Sequence, residues 1–126
     1  MCGICGFWDF NLKIKKDLSE IVRAMNDKMI HRGPDAKGVW CDPGSGVALG
    51  HRRLSIVDLS CAGNQPMTSQ SGDNTIVFNG EIYNHLEVRN ELNLSAKNFV
   101  WKGHSDTETL LGALEEWGME KTLSRC

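Results

Sequence analysis

Along the chain, apolar positions change their spacing several times, and each change marks an element. Residues 4–10 are apolar and aromatic almost without a break, which predicts a buried strand close to the start of the sequence. From Asp17 the period becomes helical: Leu18, Ile21, Val22, Met25 and Met29 share one face, and Asp17 with Glu20 is spaced as a variant of the capping box. Gly33-Pro34 is a stop signal after that helix. The stretch GVWCDPGSGVALGHRRLSIVDLS, residues 38–60, predicts two strands joined by the turn Asp42-Pro43-Gly44-Ser45-Gly46.

Residues 60–74 are polar and turn-rich and predict a surface loop. A strand is expected over 75–78, running into Asn79-Gly80, then a short helix over 84–92 and a short strand over 99–102. Ser105 with Glu108 gives a second capping box, opening a helix with Leu110, Leu111, Leu114 and Trp117 inward. With strands next to strands and helices apart, the fold class is α+β rather than alternating α/β.

Composition sharpens this picture only at the edges. The chain has 126 residues, a formal net charge of -2 and 40% hydrophobic residues, the profile of one ordinary globular domain with no basic surplus for nucleic acid. No apolar run is long enough to cross a bilayer and no basic-then-apolar leader is present, so the expected setting is the cytoplasm, away from membranes. Five cysteines, at 2, 5, 41, 61 and 126, then read as free thiols.

The candidate chemistry starts at MCGICGFWDF. Cys2 and Cys5 form a CxxC, but a redox pair needs a helix N-terminus to lower a thiol pKa, and the flanks here are strand-like. A zinc site would need two further ligands at matching spacing, and the histidines at 31, 51, 85 and 104 show none, so no metal is expected. Cys5 reads as a small apolar core residue. Cys2 differs: trimming of Met1 would leave it a free α-amine, a group that titrates near ~8 and can serve as the base for its own thiol. An amide-hydrolysing thiol needs an oxyanion hole, and Asn79 with the Gly80 N–H supplies the right donors; an ordinary hairpin turn is the competing reading. Arg52-Arg53 lies in an apolar strand, where alternation turns one guanidinium outward and one inward. The inward one calls for an acceptor, either a substrate carboxylate or a structural ion pair. Glu81 and Asp106 are carboxylates that could hold an ammonium, although Asp106 by itself reads first as a helix-N-terminal residue favoured by the dipole.

Taken together, MCGICGFWD, HRGPD at 31–35, GHRRLSIVDLS at 50–60, QPM at 65–67, FNGEIYNH at 78–85 and GHSDTE at 103–108 resemble, in order and over essentially the whole chain, the class II glutamine amidotransferase domains. That family lies among the N-terminal-nucleophile (Ntn) hydrolases. The form of HRGPD, LSIVDLS and FNGEIYN is similar to the glutamine-hydrolysing asparagine synthetase branch.

The resemblance implies a four-layer αββα sandwich with Cys2 at the start of an inner strand. Cys2 would be the nucleophile and its α-amine the base, with Asn79 and Gly80 forming the oxyanion hole. Arg53 would bind the α-carboxylate of glutamine, Glu81 and Asp106 its α-ammonium, and Leu54, Ile56 and Val57 would line the substrate. The domain itself would need no cofactor; ATP and Mg would serve a synthetase domain that accepts the ammonia. Family domains continue past this length into further strands. The expectation is therefore a partial amidotransferase domain over 1–126, incomplete at its C-terminal end and lacking the synthetase domain, with a homodimer as one way to cover exposed sheet edges. An inactive or interaction-only remnant and a CxxC thiol-redox protein stay open as alternatives.

Overall fold

The computed structural model describes residues 1–55, 59–95 and 98–126. It is a mixed α+β structure whose sheets are antiparallel. The chain gathers into two compact units: Met1–Ser55 with Asn64–Pro66 and Val77–Asn79, and Ile56–Gly63 with Met67–Ile76 and Gly80–Cys126.

The first unit is built on a three-stranded sheet. Strand β1 (Gly3–Trp8) and strand β2 (Ala36–Asp42) flank the central strand β3 (Val47–Arg53), in the order β1-β3-β2. The register sets Cys5 opposite Gly50 and Phe7 opposite Ala48, with Val39 and Cys41 across from the same two positions of β3. Because side chains alternate, these residues form one face, and helix α1 (Leu18–Asp27) packs on it through Leu18 and Val22. The β2–β3 turn is closed by Asp42, whose Oδ1 accepts from the Gly44 and Ser45 amides at 3.0 and 3.3 Å.

Helix α1 begins as the sequence predicts, but Asp17 caps it by accepting from Ser19 N at 2.8 Å instead of through a reciprocal bond with Glu20. It ends at Asp27, so Met29 falls outside it, and a single 3₁₀ turn (Ile30–Arg32) follows. The helix also carries a residue the apolar pattern passed over. Asn26 is buried, and its Nδ2 donates to the carbonyls of Gly38 at 3.0 Å and His51 at 3.2 Å, tying α1 to both β2 and β3.

In the second unit, helix α2 (His85–Asn93) packs Val88 and Leu92 against Ala113 of helix α3 (Asp106–Arg125), with Phe99, Trp101 and Trp117 around them. Helix α3 runs on past Trp117 to Arg125 after a break at Gly118, whose φ of 76° only glycine adopts readily. Residues 99–102 do not form the expected strand. Phe99 and Trp101 instead stack on each other, ring centroids 5.2 Å apart, against the α2–α3 cluster, and the Trp101 indole donates to Asn93 Oδ1 at 2.7 Å. The polar loop holds a 3₁₀ turn (Cys61–Gly63) and strand β4 (Met67–Thr68), which pairs with strand β5 (Thr75–Ile76). The strand expected over 75–78 is thus two residues shorter. Among the described residues, no helix is long and apolar enough to cross a membrane.

Candidate active site

Cys2 immediately precedes β1, and carrying the β1–β3 register back one residue from the Gly3–Arg52 pair sets Cys2 opposite Arg53. Alternation then puts Cys2, Ile4, His51 and Arg53 on the face of the sheet away from α1, and Cys5 on the α1 face. The Cys2 thiol is half-buried, and its Sγ receives the Leu54 amide at 3.3 Å, with the Leu54 carbonyl at 3.6 Å. The Cys2 carbonyl accepts from Arg32 Nε at 3.2 Å, so the first residues of the chain are pinned from two sides.

Both arginines of β3 are buried, which corrects the expectation that one would face outward. Their side chains do take opposite faces of the sheet. Arg52, on the α1 side, donates from Nε to the Asn26 carbonyl at 3.0 Å and pairs with Asp27 at 2.6 Å. The structural ion pair foreseen for one of them is therefore made by Arg52. Arg53, on the Cys2 side, donates to Asn64 Oδ1 at 3.0 Å.

The HRGPD stretch supports this end of β3 from below. Asp35 N donates to the Arg53 carbonyl at 3.1 Å, and Asp35 Oδ2 accepts from Ser55 N at 2.7 Å, so one residue holds the main chain on both sides of Leu54. Gly33 permits this approach: a Cβ there would lie 2.5 Å from the Arg52 carbonyl group.

Two short segments complete the first unit. The Phe78 amide donates to Gln65 Oε1 at 2.6 Å, and Asn79, next in the chain, is exposed. His51 is buried beside them. Among the described residues, neither of its ring nitrogens meets a partner in hydrogen-bonding geometry. Burial pulls its imidazole below the ordinary value; the Phe78 main chain opposes that shift and the Arg53 cation adds to it. On the other face, burial pushes the Cys5 thiol up, away from the thiolate that redox or metal chemistry needs. Cys5 is half-buried against Leu18, Val22 and Ala48, as a small apolar packing residue would be.

Gly80, Glu81 and Asp106 belong to the second unit. Gly80 and Glu81 are exposed. Asp106 is buried at the first position of α3, where Oδ1 accepts from Thr107 N at 2.8 Å and Oδ2 from Ile82 N at 2.9 Å. The GHSDTE and FNGEIYN stretches are thereby joined through one carboxylate. Ser105 caps α3 by accepting from Glu108 N at 3.2 Å. The Glu108 carboxylate completes no box; it accepts from Lys102 N at 2.7 Å and Gly103 N at 3.1 Å. Arg89 braces the same loop, donating to the Gly103 carbonyl, the Ser105 carbonyl and Thr109 Oγ1 with its guanidinium 4.3 Å over Trp101.

Of the residues singled out from sequence, Cys2, Arg53, Leu54 and Asn79 lie in the first unit, while Ile56 and Val57 fall outside the described residues. Sequence reasoning passed over Arg32, Asp35, Asn64, Gln65 and Arg89. HRGPD and QPM were visible as motifs, yet their partners are main-chain groups distant in sequence, which no local pattern reveals.

A family model described as "Glutamine amidotransferase domain" matches residues 1–126. Asparagine synthetase [glutamine-hydrolyzing] 1 of Bacillus subtilis is 40% identical over 121 residues, covering 95% of this chain and 18% of that protein. Asparagine synthetase B [glutamine-hydrolyzing] of Escherichia coli is 36% identical over 123 residues, covering 95% and 20%. Amidase chry2 of Gibberella zeae is 35% identical over 127 residues, covering 94% and 18%. The chain thus spans about a fifth of the length of these relatives.

Proposed function

The chain belongs to the glutamine amidotransferase domain family, and from that premise we propose that it hydrolyses the side-chain amide of glutamine through a Cys2 thioester. The observation that carries the reading is the placement of Cys2 opposite Arg53, with its Sγ on the Leu54 amide. A thiol is set one strand away from a buried guanidinium whose fork suits a carboxylate.

In the proposed reaction the α-amine of a terminal Cys2 takes the thiol proton, and the thiolate attacks the carboxamide carbon. The Asn79 side chain and the Gly80 N–H hold the oxyanion. The C–N bond then breaks, and the proton carried by the α-ammonium goes to the leaving nitrogen, giving ammonia. Water adds to the glutamyl thioester, releasing glutamate and restoring the thiol. Arg53 binds the substrate α-carboxylate, Glu81 and Asp106 the α-ammonium, and Leu54, Ile56 and Val57 line the remainder. Asp106 has two main-chain amides already on its oxygens, so it holds the Ile82 amide as well as offering charge.

The finer fold reading is the αββα sandwich of the Ntn hydrolases, of which α1 on the β1-β3-β2 sheet would be one αβ half. We take the ammonia acceptor to be a synthetase-type domain, with ATP and Mg²⁺ serving that domain and no cofactor serving the glutaminase step. Its working compartment is the cytoplasm, where the five thiols stay reduced. The test is glutamate release from glutamine, measured beside the intact mass of the active species. Wild-type release with none from Cys2→Ala, and a mass lacking Met1, is the expected result. Undiminished release from Cys2→Ala, or full activity with Met1 retained, would sink the mechanism.

A further inference from the structure

Gln65 is buried to 8% exposure between the exposed Asn64 and the half-buried Pro66, on a short stretch that belongs to no strand or helix. A buried primary amide is costly unless it is bonded. Its Oε1 takes the Phe78 amide at 2.6 Å. That amide needs a partner, because the β4–β5 ladder ends with the Met67–Ile76 pair, two residues earlier. Gln65 thus supplies from a side chain the acceptor that a neighbouring strand would otherwise give.

The stretch itself is braced on the sheet. A Cβ at Gly38 of β2 would lie 2.0 Å from the Gln65 carbonyl oxygen, so the two main chains touch in a way only glycine allows. Asn64, one residue earlier, accepts from Arg53.

We propose that Gln65 is a positioning residue of the glutaminase: by holding the Phe78 amide it fixes the peptide that carries Asn79, and with it the aim of the Asn79 side chain at the oxyanion. This rests on the glutaminase reading above. A donor aimed at a developing charge works only in register, and a misplacement of about 1 Å costs on the order of 10²-fold in rate. The role of Gln65 is exercised through Asn79, so its loss acts on turnover and leaves substrate capture by Arg53 in place.

The experiment measures kcat and KM for glutamine hydrolysis, with thermal midpoints, for the wild-type chain, Gln65→Met, Gln65→Glu, Asn79→Ala and the double variant Gln65→Met/Asn79→Ala. Gln65→Met keeps the shape without the acceptor and should lose about tenfold to a hundredfold in kcat, with KM within about threefold. Gln65→Glu keeps an acceptor oxygen and should stay within about threefold of wild type in kcat. In the Asn79→Ala background, Gln65→Met should cost less than about twofold further, since its effect passes through the missing side chain. A folded Gln65→Met with wild-type kcat, or a full loss repeated in the Asn79→Ala background, overturns the proposal. If Gln65→Met does not fold, Gln65→Glu decides: folded and slowed about tenfold or more, it overturns the proposal equally. A wild-type chain releasing no glutamate fells the glutaminase reading itself, whereas an active chain indifferent to position 65 fells only the positioning role.

Discussion

Three residues apart, Cys2 and Cys5 take opposite faces at the β1 end of the sheet, and their thiols meet different surroundings. Cys5→Ala should therefore keep glutamate release near wild type and cost about 1 kcal/mol of stability for the lost half-buried sulfur. Cys2→Ala should abolish release with an unchanged melting temperature. A Cys5→Ala chain without activity would return the CxxC to consideration. Nearby, His51 is a buried imidazole held below its ordinary value. The unfolded chain then takes up the proton first as pH falls from about 6.5, so stability present above that pH is lost toward the folded-state value. A drop in urea midpoint between pH 7.5 and 5.5 that His51→Leu flattens is the expected result; an equal drop in both chains would assign the slope elsewhere. Cys2, Arg53, Asn79 and Asp106 could be singled out in the sequence because each proposed chemistry needs a particular side chain. Gln65, Asn64 and Asp35 were not, since they act on main-chain and side-chain partners that only the tertiary fold brings near.

Elements were legible where one period ran long enough. Helix α1, strands β2 and β3 with their Asp42–Gly46 turn, and the start of α3 at Ser105 all follow from local spacing and capping. The expected strand over 99–102 failed because alternating Phe99 and Trp101 suit any apolar surface, and here that surface is the α2–α3 pair. Gly50 shows how closely two elements are fitted. A Cβ there would sit 2.7 Å from Cys5 Sγ and 3.1 Å from Val22 Cγ2, between the sheet and α1. Gly50→Ala should cost about 1–3 kcal/mol by overpacking. Cys5→Ala removes the nearer obstacle, so the double variant should be less destabilised than the two single changes summed, by about 0.5 kcal/mol or more. Strict additivity in urea unfolding would mean that α1 moves away from the sheet instead of the sulfur yielding.

At the scale of the whole molecule, each unit has its own apolar cluster: Leu18, Val22 and Ala48 in the first, Val88, Leu92 and Ala113 in the second. If each cluster stabilises its own unit, truncation in one should leave the other protected. Truncating one buried leucine in each unit separates the contributions. Leu18→Ala and Leu92→Ala each remove a large side chain from one cluster and should each cost about 2–5 kcal/mol in the unit concerned. Native-state hydrogen exchange then reads where the cost falls. With Leu92→Ala, amides of α2 and of residues 106–117 should lose protection while those of β3 and α1 keep theirs, and Leu18→Ala should give the converse. Glutamate release should fall with either variant at temperatures where only its own unit opens. A uniform loss of protection from a single truncation would show that the two cores open as one cooperative body.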